Sequence, residues 1–349
     1  MEVTTVLGKI PVDTLGIVLT HEHLHMQFDC VLQPIPAAFP SYPTQKEDTF
    51  LLKNLGLVRQ YPYSSSYNCK LDDVDTKNVM VQELINFKEA GGGTIVENTV
   101  AGISRDITWL KTLSAKSGVN IIAGTGFYVA CSQPSETLSL KVEEIHDIMS
   151  KEVKEGENGV KAGIIGEIGI SWPMHPFEKR VIEAVAILQQ ETNLPITFHP
   201  GRDPQSPFKI MRVFTEAGGK PEDVIMSHLD RTLYSDELLL DFAKFKTFTQ
   251  FDLFGTECSY YQLQESVDML SDAQRIDKLK TLADNGHLRQ ITMSHDLHTK
   301  HRLTSFGGHG YTHILKNIVP KMKLKGFSQS EIDQILIENP KRWLSRGNV

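Results

Sequence analysis

Cysteine is scarce in this chain: four among 349 residues, at Cys30, Cys69, Cys131 and Cys258, with no C-x-x-C pair. Neither a disulfide framework nor a thiolate zinc site is expected, and the four are read as reduced, mostly buried small hydrophobes. Long apolar runs are missing too. No stretch reaches membrane-spanning length, and the first residues lack the charged and apolar regions of a signal peptide. A cytoplasmic location with no membrane partner is therefore expected. Nor is there an excess of basic charge: 36 Lys and Arg stand against 43 Asp and Glu, a net charge of −7. The two signs are interspersed without a basic stripe, which argues against nucleic acid as a partner. What remains is ordinary globular composition, 40% hydrophobic and 23% charged. The length suits one α/β barrel, so residues 1–349 are read as one domain, with a homo-oligomer left open.

Against that background one stretch stands out, Leu19-Thr20-His21-Glu22-His23-Leu24-His25. The β-branched run before it puts His21 and His23 on the end of a strand, where residues i and i+2 share a face. The same letters satisfy H-E-x-x-H, whose two histidines need one face of a helix. Ile17, Val18 and Thr20 favour a strand, Gly16 interrupts a helix upstream, and Pro34 and Pro36 follow, so the protease reading is set aside.

Along the chain, strand-like runs alternate with helical ones. Strands are expected at 16–20, 94–99, 119–128, 162–168, 195–199, 224–228, 247–253 and 291–296. Helical patterns lie between them and after the last, where Asn339-Pro340 is expected to end a helix. Between the first strand and the first regular helix lies an excursion over about 26–73, rich in Pro, Tyr and Ser. Eight alternating units fit a doubly wound sheet or a closed (β/α)8 TIM barrel. The ligand candidates decide for the barrel: only a closed sheet brings the first strand beside the eighth. The expected fold is thus a (β/α)8 TIM barrel with a long insertion after strand 1.

Those candidates are His21, His23, Glu167, His199, His228 and Asp296, each at the C-terminal end of its strand, where barrel active sites lie. A single such histidine is usually a core residue, and His146, His175, His287 and His301 are read so. Five strands each ending in His or a carboxylate would be costly to bury without a cation. Four imidazoles and two carboxylates exceed the needs of one tetrahedral ion, so two divalent ions are expected, zinc first, about 3.5 to 4 Å apart. Glu167 is the candidate bridge, and a hydroxide between the metals would be the nucleophile. Asp296 would bind one metal and also pass the water's proton to the leaving group. Arg202, Arg231, Lys300 and Arg302 follow the ligands closely and could hold an anionic substrate, or else pair with Asp203, Asp230 and Glu257. Tyr128, Trp172 and His298 are further candidates for the pocket wall, with His309 and His313 weaker ones.

Several motifs resemble the phosphotriesterase branch of the amidohydrolase superfamily: Thr20-His21-Glu22-His23, Gly163-Ile164-Ile165-Gly166-Glu167-Ile168-Gly169, Ser227-His228-Leu229-Asp230-Arg231-Thr232, Phe251-Asp252-Leu253-Phe254-Gly255-Thr256-Glu257, Gly307-Gly308-His309-Gly310-Tyr311 and Glu338-Asn339-Pro340. The resemblance covers nearly the whole chain and is nearest to the phosphotriesterase-related group. It implies a binuclear barrel with the six ligands above, and hydrolysis of the amide bond of N-acetyltaurine and related small N-acyl amino acids. Bacterial phosphotriesterases bridge their metals with a carbamylated lysine; here the strand offers Glu167, and Lys161 begins the same strand too far from its end to substitute. Two other functions remain open: a lactonase or phosphotriesterase using the same centre, or a metal-containing binding module without turnover.

Overall fold

The computed structural model describes residues 1–35, 49–258 and 260–345. Part of the expected insertion, 36–48, lies outside the described residues. Eight parallel strands run in chain order around a ring: β3 (Ile17–Glu22), β4 (Gly92–Glu97), β5 (Asn120–Thr125), β6 (Ile164–Gly169), β7 (Ile196–His199), β8 (Val224–Met226), β9 (Phe248–Phe251) and β10 (Ile291–Met293). A hairpin, β1 (Glu2–Thr5) with β2 (Gly8–Pro11), precedes them. Every expected barrel strand is present, with the first extended through His21 and Glu22.

The seam between β10 and β3 closes through few but well-paired groups. Asp296 N–H donates to the His21 carbonyl at 3.2 Å, and His21 N–H to Ser294 Oγ at 3.1 Å. Glu22 turns away from its histidine neighbours and accepts at its two oxygens from Ser294 Oγ (2.7 Å), His295 N (2.9 Å), His295 Nδ1 (2.7 Å) and Leu297 N (3.0 Å). His295 Nε2 accepts from Ile314 N–H at 3.1 Å, so the ring is the neutral Nδ1–H tautomer. Burial pushes the His295 pKa down, in keeping with that tautomer. The middle letter of the H-E-H motif is therefore a clasp between the first and last strands.

Helices α1 (Leu52–Gln60) and α2 (Val74–Glu89) precede β4, and α3 (Ile107–Ser117), α4 (Val142–Lys154), α5 (Pro176–Thr192), α6 (Ser206–Glu216), α7 (Asp236–Ala243) and α8 (Asp272–Leu282) then alternate with the strands. Side-chain caps start several of them, including Asp73 for α2 and Asp106 for α3. Ser104, just upstream of α3, takes a left-handed turn at φ 63°. The helices pack Phe87, Leu110, Val185, Phe214, Phe242 and Leu279 against the sheet. A second apolar cluster joins Val18, Val96, Ile122, Ile164, Ile225 and Phe248 from six strands to Val3, Leu15 and Trp343. Trp343 Nε1 donates to the Asp223 carbonyl, just before β8, so this cluster plugs the end opposite the candidate ligands.

The insertion folds back on itself. Gln27 bridges Lys70 in antiparallel fashion, Phe28 N–H bonds the Cys69 carbonyl, and Leu71 N–H bonds the Met26 carbonyl. The α1 helix inside it carried no clear period in sequence. The Asn339-Pro340 break is also corrected: after α9 (Val319–Leu324) and a turn, the chain stays helical from α10 (Gln329–Asp333) through a wide turn at Gln334–Glu338 into α11 (Asn339–Leu344). Pro340 stands in the first turn of α11, where its missing N–H costs little, and Asn339 Nδ2 donates to the Leu288 and Ile291 carbonyls.

Glu22→Ala leaves four donors at the seam without their acceptor. A stability loss of about 3–5 kcal/mol is expected in denaturant unfolding. A loss below about 1 kcal/mol would show that the seam is held elsewhere.

Candidate metal centre

All six expected ligands meet at the C-terminal mouth of the barrel. On one side His23 Nε2 lies 3.3 Å from Asp296 Oδ1, and His21 Nε2 lies 3.8 Å from it. On the other, Glu167 Oε1 lies 2.7 Å from His199 Nδ1 and 3.0 Å from His228 Nε2. Glu167 joins the halves, for its Oε2 reaches back to His21 Nε2 at 3.5 Å and His23 Nε2 at 3.9 Å. His21, His23 and Asp296 form one group of converging ligand atoms, and Glu167, His199 and His228 another.

Local backbone explains the placement. Gly166, at φ 126°, lets β6 run close against β7; a Cβ there would lie 2.3 Å from Thr197 Oγ1. His228 and Asp296 both hold left-handed backbone, at φ 55° and 47°, which costs free energy for residues with a Cβ. The surroundings hold Asp296 there. Arg302 Nη1 donates to the Asp296 carbonyl at 2.6 Å and its Nη2 to the His295 and Phe254 carbonyls.

A second ring of side chains fixes which nitrogen of His228 and of His23 faces the centre. His228 Nδ1–H donates to Asp252 Oδ1 at 2.8 Å, leaving Nε2 for the centre. His23 Nδ1–H donates to Thr99 Oγ1 at 2.9 Å, and that hydroxyl donates in turn to Glu97 at 2.5 Å. Gln250 Nε2 donates to Asp252 Oδ2 at 2.8 Å and stands 3.1 Å from His21 Nδ1. Asp252, Glu97, Thr99 and Gln250 were not anticipated. Asp252 and Glu97 carried the same signal as the ligands, a carboxylate ending an apolar strand.

The donor set suits divalent cations. His21 Nε2 is buried without a hydrogen-bond partner while pointing at two carboxylates. Burial alone would depress this imidazole, yet Glu167 and Asp252 raise its pKa to about 10. Burial likewise opposes ionisation of Glu167 and Asp296, and neighbouring histidines still hold both well below the usual carboxylate range. His199 moves the other way, to about 3, through burial and the positive charges of His228 and Arg231. The centre thus has two carboxylates, imidazoles aimed inward, and a demand for positive charge that divalent ions would meet.

Over the ligands lies a cavity walled by Tyr128, Arg202, Arg231 and His298, with Met26, Phe28 and Tyr63 contributed by the insertion. Tyr128 Oη stands 3.4 Å from His199 Nδ1. His298 Nδ1–H donates to the Asp296 carbonyl at 2.7 Å and faces its Oδ2 at 3.1 Å, while His298 Nε2 meets Tyr63 Oη at 3.0 Å. Trp172 lies outside this cavity, 41% exposed on an adjoining groove. The alternative pairings for the cations do not form either: Asp230 binds Arg275, Asp203 accepts from Gln205 N–H, and Glu257 accepts from Asp272 N–H. His309 stacks on His313 away from the ligands, and His25 bonds the Ser104 carbonyl.

The profile of the Phosphotriesterase family matches residues 1–344. The chain is 46% identical to N-acetyltaurine hydrolase of Bos taurus, over 99% of this chain and 98% of that protein. It is 45% identical to the phosphotriesterase-related protein of Aedes aegypti, over 98% of each. Among solved structures it resembles a resiniferatoxin-binding protein from Rhodobacter sphaeroides, with TM-score 0.92 and 29% identity over 99% of this chain and 96% of that one.

Glu167→Ala removes the group common to both halves. Elemental analysis of the purified variant is expected to find less divalent metal per chain than in the native protein; equal content would show that the two halves do not share this carboxylate.

Proposed function

Because the chain belongs to the phosphotriesterase family and is a hydrolase, we propose that it cleaves the amide bond of small anionic N-acyl compounds, N-acetyltaurine foremost, at a centre of two divalent ions. The observation that carries this reading is Glu167 reaching both ligand groups, His21 and His23 through one oxygen, His199 and His228 through the other. The name of the Bos taurus relative supports the choice of substrate. No helix among the described residues is long and apolar enough to cross a membrane.

In this reading His21, His23, Glu167, His199, His228 and Asp296 would hold the two ions. Divalent ions there would supply Lewis acidity and a water acidic enough to ionise near neutral pH, with zinc the first choice for this nitrogen and oxygen set. The chain's own groups do the rest. Asp296 takes the proton of the attacking water. As the carbon–nitrogen bond breaks, it delivers that proton to the departing nitrogen, so the products are a carboxylic acid and an amine, which at neutral pH become a carboxylate and an ammonium. His298 and Arg302 hold Asp296 in the orientation that both transfers need. Asp252 and Thr99 keep His228 and His23 in one tautomer. Tyr128, beside His199, is placed to meet the acyl oxygen.

Turnover of N-acetyltaurine, a simple lactone and an aryl phosphotriester by zinc-loaded protein separates this reading from its rivals. The amide is expected to be the best substrate. Preference for either of the others would replace the amidase reading, and binding without turnover of any would leave a binding protein, the role in which the Rhodobacter sphaeroides neighbour is described. Asp296→Asn is expected to keep the fold and lower kcat by about 100-fold or more, since one group serves both proton transfers. Near-native kcat in that variant would remove Asp296 from the mechanism.

A further inference from the structure

Four cations follow the ligands in sequence, and three are committed elsewhere. Lys300 is buried, ion-paired with Asp73 and stacked 3.2 Å from the Tyr67 ring centroid. Arg302 spends both terminal nitrogens on the carbonyls of Asp296, His295 and Phe254. Arg231 donates from Nη1 to Thr232 Oγ1 and from Nη2 to the Pro200 carbonyl, with His199 Nε2 at 3.3 Å.

Arg202 differs. Its Nε donates to Tyr261 Oη at 2.9 Å, and its guanidinium lies over the Tyr261 ring, 5.5 Å from the centroid. Among the described residues neither Nη has a hydrogen-bond acceptor and no carboxylate lies within ion-pairing distance. The side chain is half-buried and faces both the cavity over the ligands and the adjoining groove. A cation withdrawn from water without a counter-ion is costly, and the open Nη1/Nη2 edge is the part of the fork that grips an oxyanion through two parallel bonds.

Topology orients the ligand. Arg202 follows β7, whereas Met26, Phe28 and Ile103 follow β3 and β4. In the ring of eight, β3 and β7 stand opposite each other, with the six ligands between. We propose, resting on the amidase reading above, that Arg202 anchors the terminal sulfonate or carboxylate of the amine half, while the acyl chain points across the mouth to the apolar wall of Met26, Phe28 and Ile103. The substrate class is then an N-acyl amino acid or aminosulfonic acid with a short spacer between amide and anion. Tyr261 is a positioning residue that holds the fork by its third nitrogen and leaves the other two free.

Calorimetric titration of zinc-loaded protein with ethanesulfonate, and with the neutral ethyl methyl sulfone, tests the anchor without any turnover. The native protein is expected to bind the anion at least about tenfold more tightly, and Arg202→Met to weaken that binding about 10–100-fold, the scale of a two-pronged charged contact. The same variant is expected to raise KM for N-acetyltaurine by a similar factor, with a smaller change in kcat. Equal binding of anion and sulfone by native protein overturns the proposal whether or not the variant folds. So does native-like anion binding in Arg202→Met. If ethanesulfonate binds natively and is lost in the variant while N-acetyltaurine is not cleaved, the anchor stands and the amidase reading falls.

Discussion

The constraint on which this structure turns is the collection of like-charged and polar groups at a desolvated barrel mouth. Glu167, Asp252 and Asp296 are ionised within reach of four imidazoles, and water scarcely touches any of them. Such a cluster is stable only where positive charge is brought to it. In the protein alone that role falls to a proton: His21, wholly buried, is pushed to about 10 although burial opposes it. Divalent ions would answer the same demand with more charge and a directional donor set. The surroundings of two of these imidazoles already suit such ions, since His228 and His23, held at Nδ1 by Asp252 and Thr99, keep Nε2 turned inward, while His199 faces the centre through Nδ1.

Much of this was legible from the chain because barrel geometry converts a one-dimensional rule into a place. A His or carboxylate that ends an apolar run lies at one rim, and six residues obeyed the rule. Asp252 and Glu97 obey it too, yet their work is to orient His228 and His23, a distinction that depends on which strand lies alongside. The cations were less legible for the same reason. Lys300, Arg302, Arg231 and Arg202 are equivalent by position in sequence, and only tertiary partners separate the one with an open fork from the three that hold the scaffold. Trp172 shows the limit of the rim rule, because three residues beyond the end of β6 the chain has already turned outward. The hairpin β1–β2 escaped notice because its short, half-exposed strands, one ending in Pro11, give little alternation to read.

The insertion contributes chemistry as well as cover. Phe28 and Tyr63 both contact His298, the first edge-on and the second stacked at a centroid separation of 5.9 Å with planes 7° apart. His298 bonds Asp296 in turn. The insertion is pinned from the other direction as well, by Lys300 on Asp73 and by His301 N–H on Asn68 Oδ1 at 2.9 Å. A residue proposed to move protons is thus braced from three sides: by the insertion through His298, by Arg302 beneath its carbonyl, and by the seam.

That seam ties chemistry to folding. His21 lies on the first barrel strand, His23 directly after it and Asp296 three residues past the last strand, so their half of the centre exists only when the ring is closed. The groups that close it are the neighbours of the ligands: Glu22 lies between the two histidines, and Ser294 and His295 immediately precede Asp296. Residues 273 positions apart must meet for Glu22 to find His295. Loop-closure entropy makes such a contact late and dependent on the strands already assembled between. A chain with an open seam would have its apolar core largely in place and half its ligands missing. The Glu22 clasp therefore makes completion of the barrel and convergence of the six candidate ligands one event.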